Sequence, residues 1–187
     1  MKMINLALGF EDVYTNLKNM EPKKSMLIFV VEDNLLFNRM VCDYLKKHKY
    51  ENIQSFTTGN DCIKTVLNGE KPDIVIQDYF LDDTNGLDVL KAVKKKSKKS
   101  EFIFLTSNND ISVAIESMKS GALDYIIKDS GDVLYKLVEK INNTARLIIT
   151  KRKNRAIRNA MILTLLILFL IILTGLLLFF TGVIVIG

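Results

Sequence analysis

From Ala160 to Ile186 the chain carries no charged residue, and 20 of those 27 positions are Leu, Ile, Val or Phe. A stretch of that length and composition belongs in lipid rather than in the core of a water-soluble domain. At about −0.3 kcal/mol per such residue it contributes roughly −6 kcal/mol to insertion, an upper sum because the scale refers to the helix centre. As a helix it would measure about 40 Å against a hydrocarbon core of about 30 Å, a mismatch that tilt absorbs. Gly175 and Gly182 fall in the run without forming GxxxG, so they are weak grounds for helix pairing.

Lys151, Arg152, Lys153, Arg155 and Arg158 precede this run and have no counterpart after it, which orients a single-pass span with the N-terminal bulk in the cytoplasm. The net charge of +5 comes from this segment: residues 26–150 hold 17 basic and 18 acidic side chains, and residues 1–25 hold 4 and 3. Beside anionic lipid each such charge contributes about 1 kcal/mol. The expected contact of residues 151–186 is therefore membrane lipid, and nucleic acid is not an expected partner.

Four segments result: an N-terminal extension and linker (1–25), a folded domain (26–150), a basic juxtamembrane stretch (151–159) and the span (160–186). The opening MKMINLALGF is too short for a targeting signal, is interrupted by Asn5, and is followed by Glu11 and Asp12 where such a segment stays neutral. A short amphipathic helix or frayed extension is the expectation. From Met26 apolar runs alternate with amphipathic segments. Strands are expected at 26–31, 52–56, 73–77, 101–105 and 123–127, with helices at 34–47, near 59–68, 86–97 and 110–120, and from about 132. Leu36, Met40, Val41, Tyr44 and Leu45 form the apolar face of the first helix. Ile74, Val75 and Ile76 suit a strand buried on both faces. Five strands alternating with five helices make a doubly wound α/β domain with one parallel sheet. With neither Gly nor Pro between Asp132 and Thr174, the last helix should run on into the span, with a core-facing stripe of Leu134, Val138, Ile141, Ala145 and Ile148.

Cys42 and Cys62 are too far apart for a metal or redox pair and read as core residues. His48, within KKHK at a helix end, reads as a solvated residue compatible with the helix dipole, and the KKKSKK run at 94–99 as a solvated helix terminus.

The residues that carry chemistry lie at expected strand ends. Glu32 and Asp33 follow strand one, Asp78 strand three, Thr106 strand four and Lys128 strand five. In such sheets ligands bind beyond the carboxyl ends of the strands. Three carboxylates within about 5 Å repel one another by roughly 3 kcal/mol per pair at an effective dielectric of 20, which a divalent cation removes. Hard oxygen ligands favour Mg²⁺ over zinc. A hydroxyl and an ammonium opposite suit the oxygens of a phosphoryl group on Asp78. Any one of these residues alone could be a helix cap, a turn or a solvated side chain; in combination they point to one site.

In VVEDN, in Asp78 with Gly86 eight residues on, in FLTS and in DYIIKD, residues 26–150 resemble the receiver domain of bacterial two-component response regulators. The resemblance implies a flavodoxin-like receiver fold in which Asp78 accepts a phosphoryl group from a histidine kinase or phosphotransfer protein. It implies that Asp33, Asp78 and the backbone carbonyl of Phe80 bind Mg²⁺ directly and Glu32 through water. Thr106 and Lys128 would contact the phosphoryl oxygens, and Tyr125 would turn inward on activation. The chain departs from the family at Asp82 and Asp129, where prolines are common. Asp82 and Asp83 add negative charge beside the site, and Phe80 and Asn108 hold positions that govern loss of the phosphoryl group. A bulky Phe80 implies slow self-dephosphorylation.

The sequence then supports a membrane-anchored, stand-alone receiver with no enzymatic turnover beyond self-phosphorylation and self-dephosphorylation. An adaptor acting through protein contacts, with phosphorylation only modulating it, is the alternative. A haloacid-dehalogenase-type phosphatase is disfavoured, because that chemistry places a DxD nucleophile after strand one, where this chain has Glu32, Asp33, Asn34.

Overall fold

The computed structural model describes residues 25–107, 111–128 and 131–180. The N-terminal extension up to residue 24, Asn108, Asp129 and the end of the apolar run with Gly182 lie outside the described residues.

Five parallel strands, β1 (Ile28–Val31), β2 (Ile53–Phe56), β3 (Ile74–Gln77), β4 (Glu101–Thr106) and β5 (Asp124–Ile127), form one sheet in the order β2-β1-β3-β4-β5. Helices α1 (Leu35–Lys47), α2 (Gly59–Leu67), α3 (Gly86–Lys96), α4 (Ile111–Lys119) and α5 (Val133–Phe180) follow them. Every residue of β1 and β3 is buried, whereas the edge strands β2 and β5 are mostly half-exposed. That contrast follows from covering a parallel sheet on both faces. The register Val31↔Gln77, Gln77↔Phe104 and Thr106↔Ile127 brings the residues after β1, β3, β4 and β5 to one edge.

Helix starts are set by short polar side chains. Asn34 accepts from Phe37 N–H (3.0 Å), Thr58 from Asp61 N–H (3.2 Å) and Asn85 from Leu87 N–H (2.8 Å). Phe29, Val31, Cys62, Val66, Val75, Leu90, Phe102 and Phe104 belong to the core on the α2–α3 side. Burial pushes the Cys62 thiol up to about 12, in keeping with a cysteine in the core. Cys42 is buried as well.

Two apolar stripes differ from those expected. On α1 the buried residues are Asn38, Val41, Cys42 and Leu45, while Leu36 is 79% and Met40 42% exposed. The helix is turned so that Asn38 faces inward, where its Nδ2 donates to the carbonyls of Glu32 and Phe56, both at 2.9 Å. On α5 the buried set is Val133, Leu137, Val138, Ile141, Thr144 and Ala145, with Leu134 and Ile148 only half-buried. Thr144 satisfies its hydroxyl on the Lys140 carbonyl (2.8 Å), so a polar residue sits on the core face without an unmet hydrogen bond. Tyr50, fully buried, donates to Asn142 Oδ1 at 2.9 Å.

Helix α5 is continuous from Val133 to Phe180. The chain divides into two compact units at Ala145 and Arg146. In the second unit every described residue from Ala160 to Phe180 is exposed, in a helix long and apolar enough to cross a membrane.

Candidate functional site

β1 ends on Glu32 and Asp33 and β3 on Asp78, and the strands are locked there by the Asp78 N–H bond to the Val31 carbonyl (2.9 Å). One oxygen from each of Glu32, Asp33 and Asp78 lies within 4.8 Å of the others. Glu32 is 3% and Asp78 8% exposed. Crowding three carboxylates in a half-dry place is unfavourable without a cation. Within the chain that cation is Lys128, whose Nζ stands 2.6 Å from Glu32 Oε2 and 2.6 Å from Asp78 Oδ2. Burial raises the Glu32 carboxyl above its ordinary value, and the hydrogen bond and charge of Lys128 oppose that rise.

Lys128 is placed by its backbone, since its N–H donates to the Thr106 carbonyl (2.8 Å) just beyond β5. Thr106 is fully buried at the end of β4, one register step past the level of Asp78. The Phe37 ring lies under the ammonium, 4.6 Å from Nζ to its centroid, so two carboxylates and an aromatic face surround Lys128. Tyr125, two residues before the end of β5, is half-buried against the core and close in sequence to Lys128.

The loop from Asp78 to Gly86 closes on itself. Phe80 N–H donates to Asp78 Oδ1 (3.3 Å), Asp82 N–H to Asp33 Oδ2 (3.2 Å) and Gly86 N–H to the Tyr79 carbonyl (2.9 Å). A Cβ at Gly86 would lie 2.8 Å from the Tyr79 oxygen and 2.9 Å from that of Asp78, so no other residue closes the loop this way. Phe80 is 53% exposed with its ring edge-on to Tyr79.

The structure thus brings Glu32, Asp33, Asp78 and Lys128 into one cluster, with Thr106 at the adjoining end of β4 and Phe80 on the loop after Asp78, while Tyr125 packs against the core two residues before the end of β5. It separates the two acids once grouped together in the loop. Asp83 turns away, its two oxygens each accepting a bond of 2.9 Å from Gly59 N–H and Asn60 N–H at the start of α2. It serves as a cap from another part of the chain, and only Asp82 stays beside the acid pair. Asn38, Phe37 and Gln77 were not singled out in sequence. Asn38 in the middle of an apolar helical pattern is the one whose polarity could have marked it.

The donor set fits Mg²⁺: oxygen ligands converge from three carboxylates, the cysteines are buried in the core, and the His48 ring is engaged with the Tyr44 carbonyl at 2.9 Å. A nucleophilic carboxylate held beside an ammonium at a strand edge is equipped to receive a phosphoryl group.

Residues 28–142 match the family model of the response regulator receiver domain. The luminescence regulatory protein LuxO of Vibrio campbellii is 40% identical over 100 residues, which are 53% of this chain and 21% of that protein. The chemotaxis protein CheY of Thermotoga maritima is 29% identical over 101 residues, 54% of this chain and 83% of CheY. The chain thus spans about a fifth of the length of its LuxO relative. Among solved structures, the receiver domain of a putative LuxO repressor protein from Vibrio parahaemolyticus superposes with a TM-score of 0.62 at 23% identity, covering 68% of this chain and 95% of that one. With the family model matched over more than half its length, the chain belongs to the response regulator receiver domain family.

Proposed function

We propose that this receiver takes a phosphoryl group on Asp78 from a histidine kinase or phosphotransfer protein and relays it in a phosphorelay from a position at the membrane. The observation that carries the reading is the Asp78 carboxylate, held at 2.6 Å by Lys128 within a cluster of three acids. In the transfer, an Asp78 oxygen forms a bond to phosphorus as the bond from phosphorus to the donor's nitrogen breaks and the imidazole leaves. Lys128 holds one oxygen of the group, and the Thr106 hydroxyl is the second donor on the rim. Glu32, Asp33, Asp78 and the Phe80 carbonyl would hold Mg²⁺, which when bound supplies positive charge against the carboxylates and the phosphoryl oxygens. Tyr125 would turn inward once Asp78 is modified. Phe80 on the loop supports slow loss of the group, so a half-life of only seconds would count against its shielding role. Turnover beyond self-phosphorylation and self-dephosphorylation is not part of this reading.

The membrane position is supported by the exposed apolar helix from Ala160 and by the basic segment before it; on this reading residues 151–186 meet lipid and the receiver faces the cytoplasm. Confinement to one bilayer raises the effective concentration of an embedded kinase. A second reading, an adaptor that phosphorylation only modulates, is favoured by Ile111, Ile115 and Met118, which form an exposed apolar stripe on α4.

The test is the full chain in detergent micelles with phosphoramidate and Mg²⁺, read by intact mass. One added phosphoryl group, absent in Asp78→Asn, is the expected result. No addition in a folded protein would leave the adaptor, whose partner binding Asp78→Asn would not disturb.

A further inference from the structure

Gln77 is the last residue of β3, fully buried and immediately before the phosphoacceptor. By strand alternation it points to the opposite face from Asp78, toward the start of α3. There its Nε2 donates to the Gly86 carbonyl at 3.0 Å. The contact is close-packed, because a Cβ on Gly86 would stand 2.9 Å from the same nitrogen. The other end of this amide is Oε1, which among the described residues is the one buried side-chain polar atom without a hydrogen-bond partner.

A glutamine is an odd choice for this place. The core around it is apolar: Val75 precedes it on the same face, and Phe104 lies opposite it in the register. An aliphatic side chain of similar volume would leave no buried oxygen unsatisfied, and such an oxygen lowers stability. The Gly86 carbonyl belongs to the first turn of α3, where helical geometry offers it an N–H donor from the following turn, so the amide is a second donor to an oxygen the helix itself can satisfy. What the amide does is join the two ends of the loop that carries Asp78, Phe80 and Asp82, the segment whose backbone meets the acid pair at Asp33.

We infer that Gln77 is a positioning residue for phosphoryl transfer: its amide clamps the two ends of the loop from Asp78 to Gly86, and thereby holds Asp78 and the Phe80 carbonyl in the arrangement that binds cation and phosphoryl donor. The inference rests on the phosphoacceptor reading of Asp78. It separates function from stability. Removing the amide relieves a buried unsatisfied oxygen while loosening the site, so the two properties move in opposite directions.

The experiment compares the full chain with Gln77→Met and Gln77→Leu in detergent micelles. Three quantities are measured: the thermal midpoint, Mg²⁺ affinity by titration calorimetry, and the rate of phosphorylation by phosphoramidate. The expected result is a thermal midpoint equal to or above that of the parent, with about five- to tenfold weaker Mg²⁺ binding and a phosphorylation rate reduced by a similar factor. Amide exchange should rise in residues 78–86 and stay unchanged in β1 and β4. Mg²⁺ affinity and rate within twofold of the parent would overturn the inference, as would a lowered midpoint with an unaltered site. In the parent itself, the Gln77 side-chain amide protons should resist exchange with solvent; rapid exchange overturns the clamp without recourse to a variant. A parent that takes no phosphoryl group defeats the proposed function instead, while Mg²⁺ binding and exchange still decide the clamp.

Discussion

The two ends of α5 have the same secondary structure and opposite surroundings. Between Val133 and Ala145 the helix has one buried face, made of Val133, Leu137, Val138, Ile141, Thr144 and Ala145, and a polar face that includes Lys136 and Lys140. Between Ala160 and Phe180 it has no polar face: apart from Thr164 and Thr174, whose hydroxyls bond back to the helix, residues are apolar all round, and all are exposed. A helix that is apolar on every side needs an apolar surrounding, and among the described residues no protein surface covers this one. The first part is held by packing, and the second by the medium that the membrane reading supplies.

The strongest way to break that contrast is to delete residues 160–187. At roughly −6 kcal/mol for the run, membrane partition should fall by about four orders of magnitude. The protein should move from the membrane pellet to the supernatant, with the urea midpoint of the receiver unaltered. Retention in the pellet would assign membrane binding to another segment. Next in size is a pair of identical substitutions at the two ends. Leu137→Ala, at a fully buried position, should lower stability by about 2–5 kcal/mol in urea unfolding, and Leu170→Ala, at an exposed one, should leave the receiver transition where it is. Equal losses would join the two parts into one cooperative unit.

A third handle is pH, which should act on the receiver alone. Glu32 has its carboxyl raised above the ordinary 4.5 by burial, so the folded state holds that proton more tightly than the unfolded chain does. Its contribution to stability is therefore present below pH 4.5 and lost as pH rises through the raised value. In the presence of a chelator, Glu32→Gln should flatten this fall in thermal midpoint, equally in the full and the shortened chain. Mg²⁺ at a hundredfold excess over its Kd should add about 2.7 kcal/mol. The smallest effect belongs to the Lys140–Asp124 ion pair, 2.7 Å long and partly exposed. Lys140→Ala should cost at most about 1 kcal/mol, and less at high salt, in the same urea experiment.

Much of the architecture was legible because it depends on composition over short windows. Ile74, Val75 and Ile76 announce a central strand, and the alternation of apolar runs with amphipathic segments from Met26 onward announces five strands and five helices. The acids, Thr106 and Lys128 could be gathered because strand ends of a parallel sheet share one edge. What escaped depends on partners distant in sequence. Leu36 and Met40 match a helical stripe as well as Asn38 does not, yet Asn38 is buried because two strand-end carbonyls await its amide. Asp83 reads as charge beside the site until α2 claims it from 24 residues upstream. Phe37 is one aromatic among several until Lys128 is found above its ring.

The bond between Lys128 and Glu32 joins residues 96 positions apart. On a ribosome adding about 5–20 residues per second, Glu32 waits roughly 5–20 s for the lysine that pairs with it. During that interval the nascent chain has its carboxylates and lacks their counterion, so the cluster of Glu32, Asp78 and Lys128 is complete only once the residue after β5 has been added.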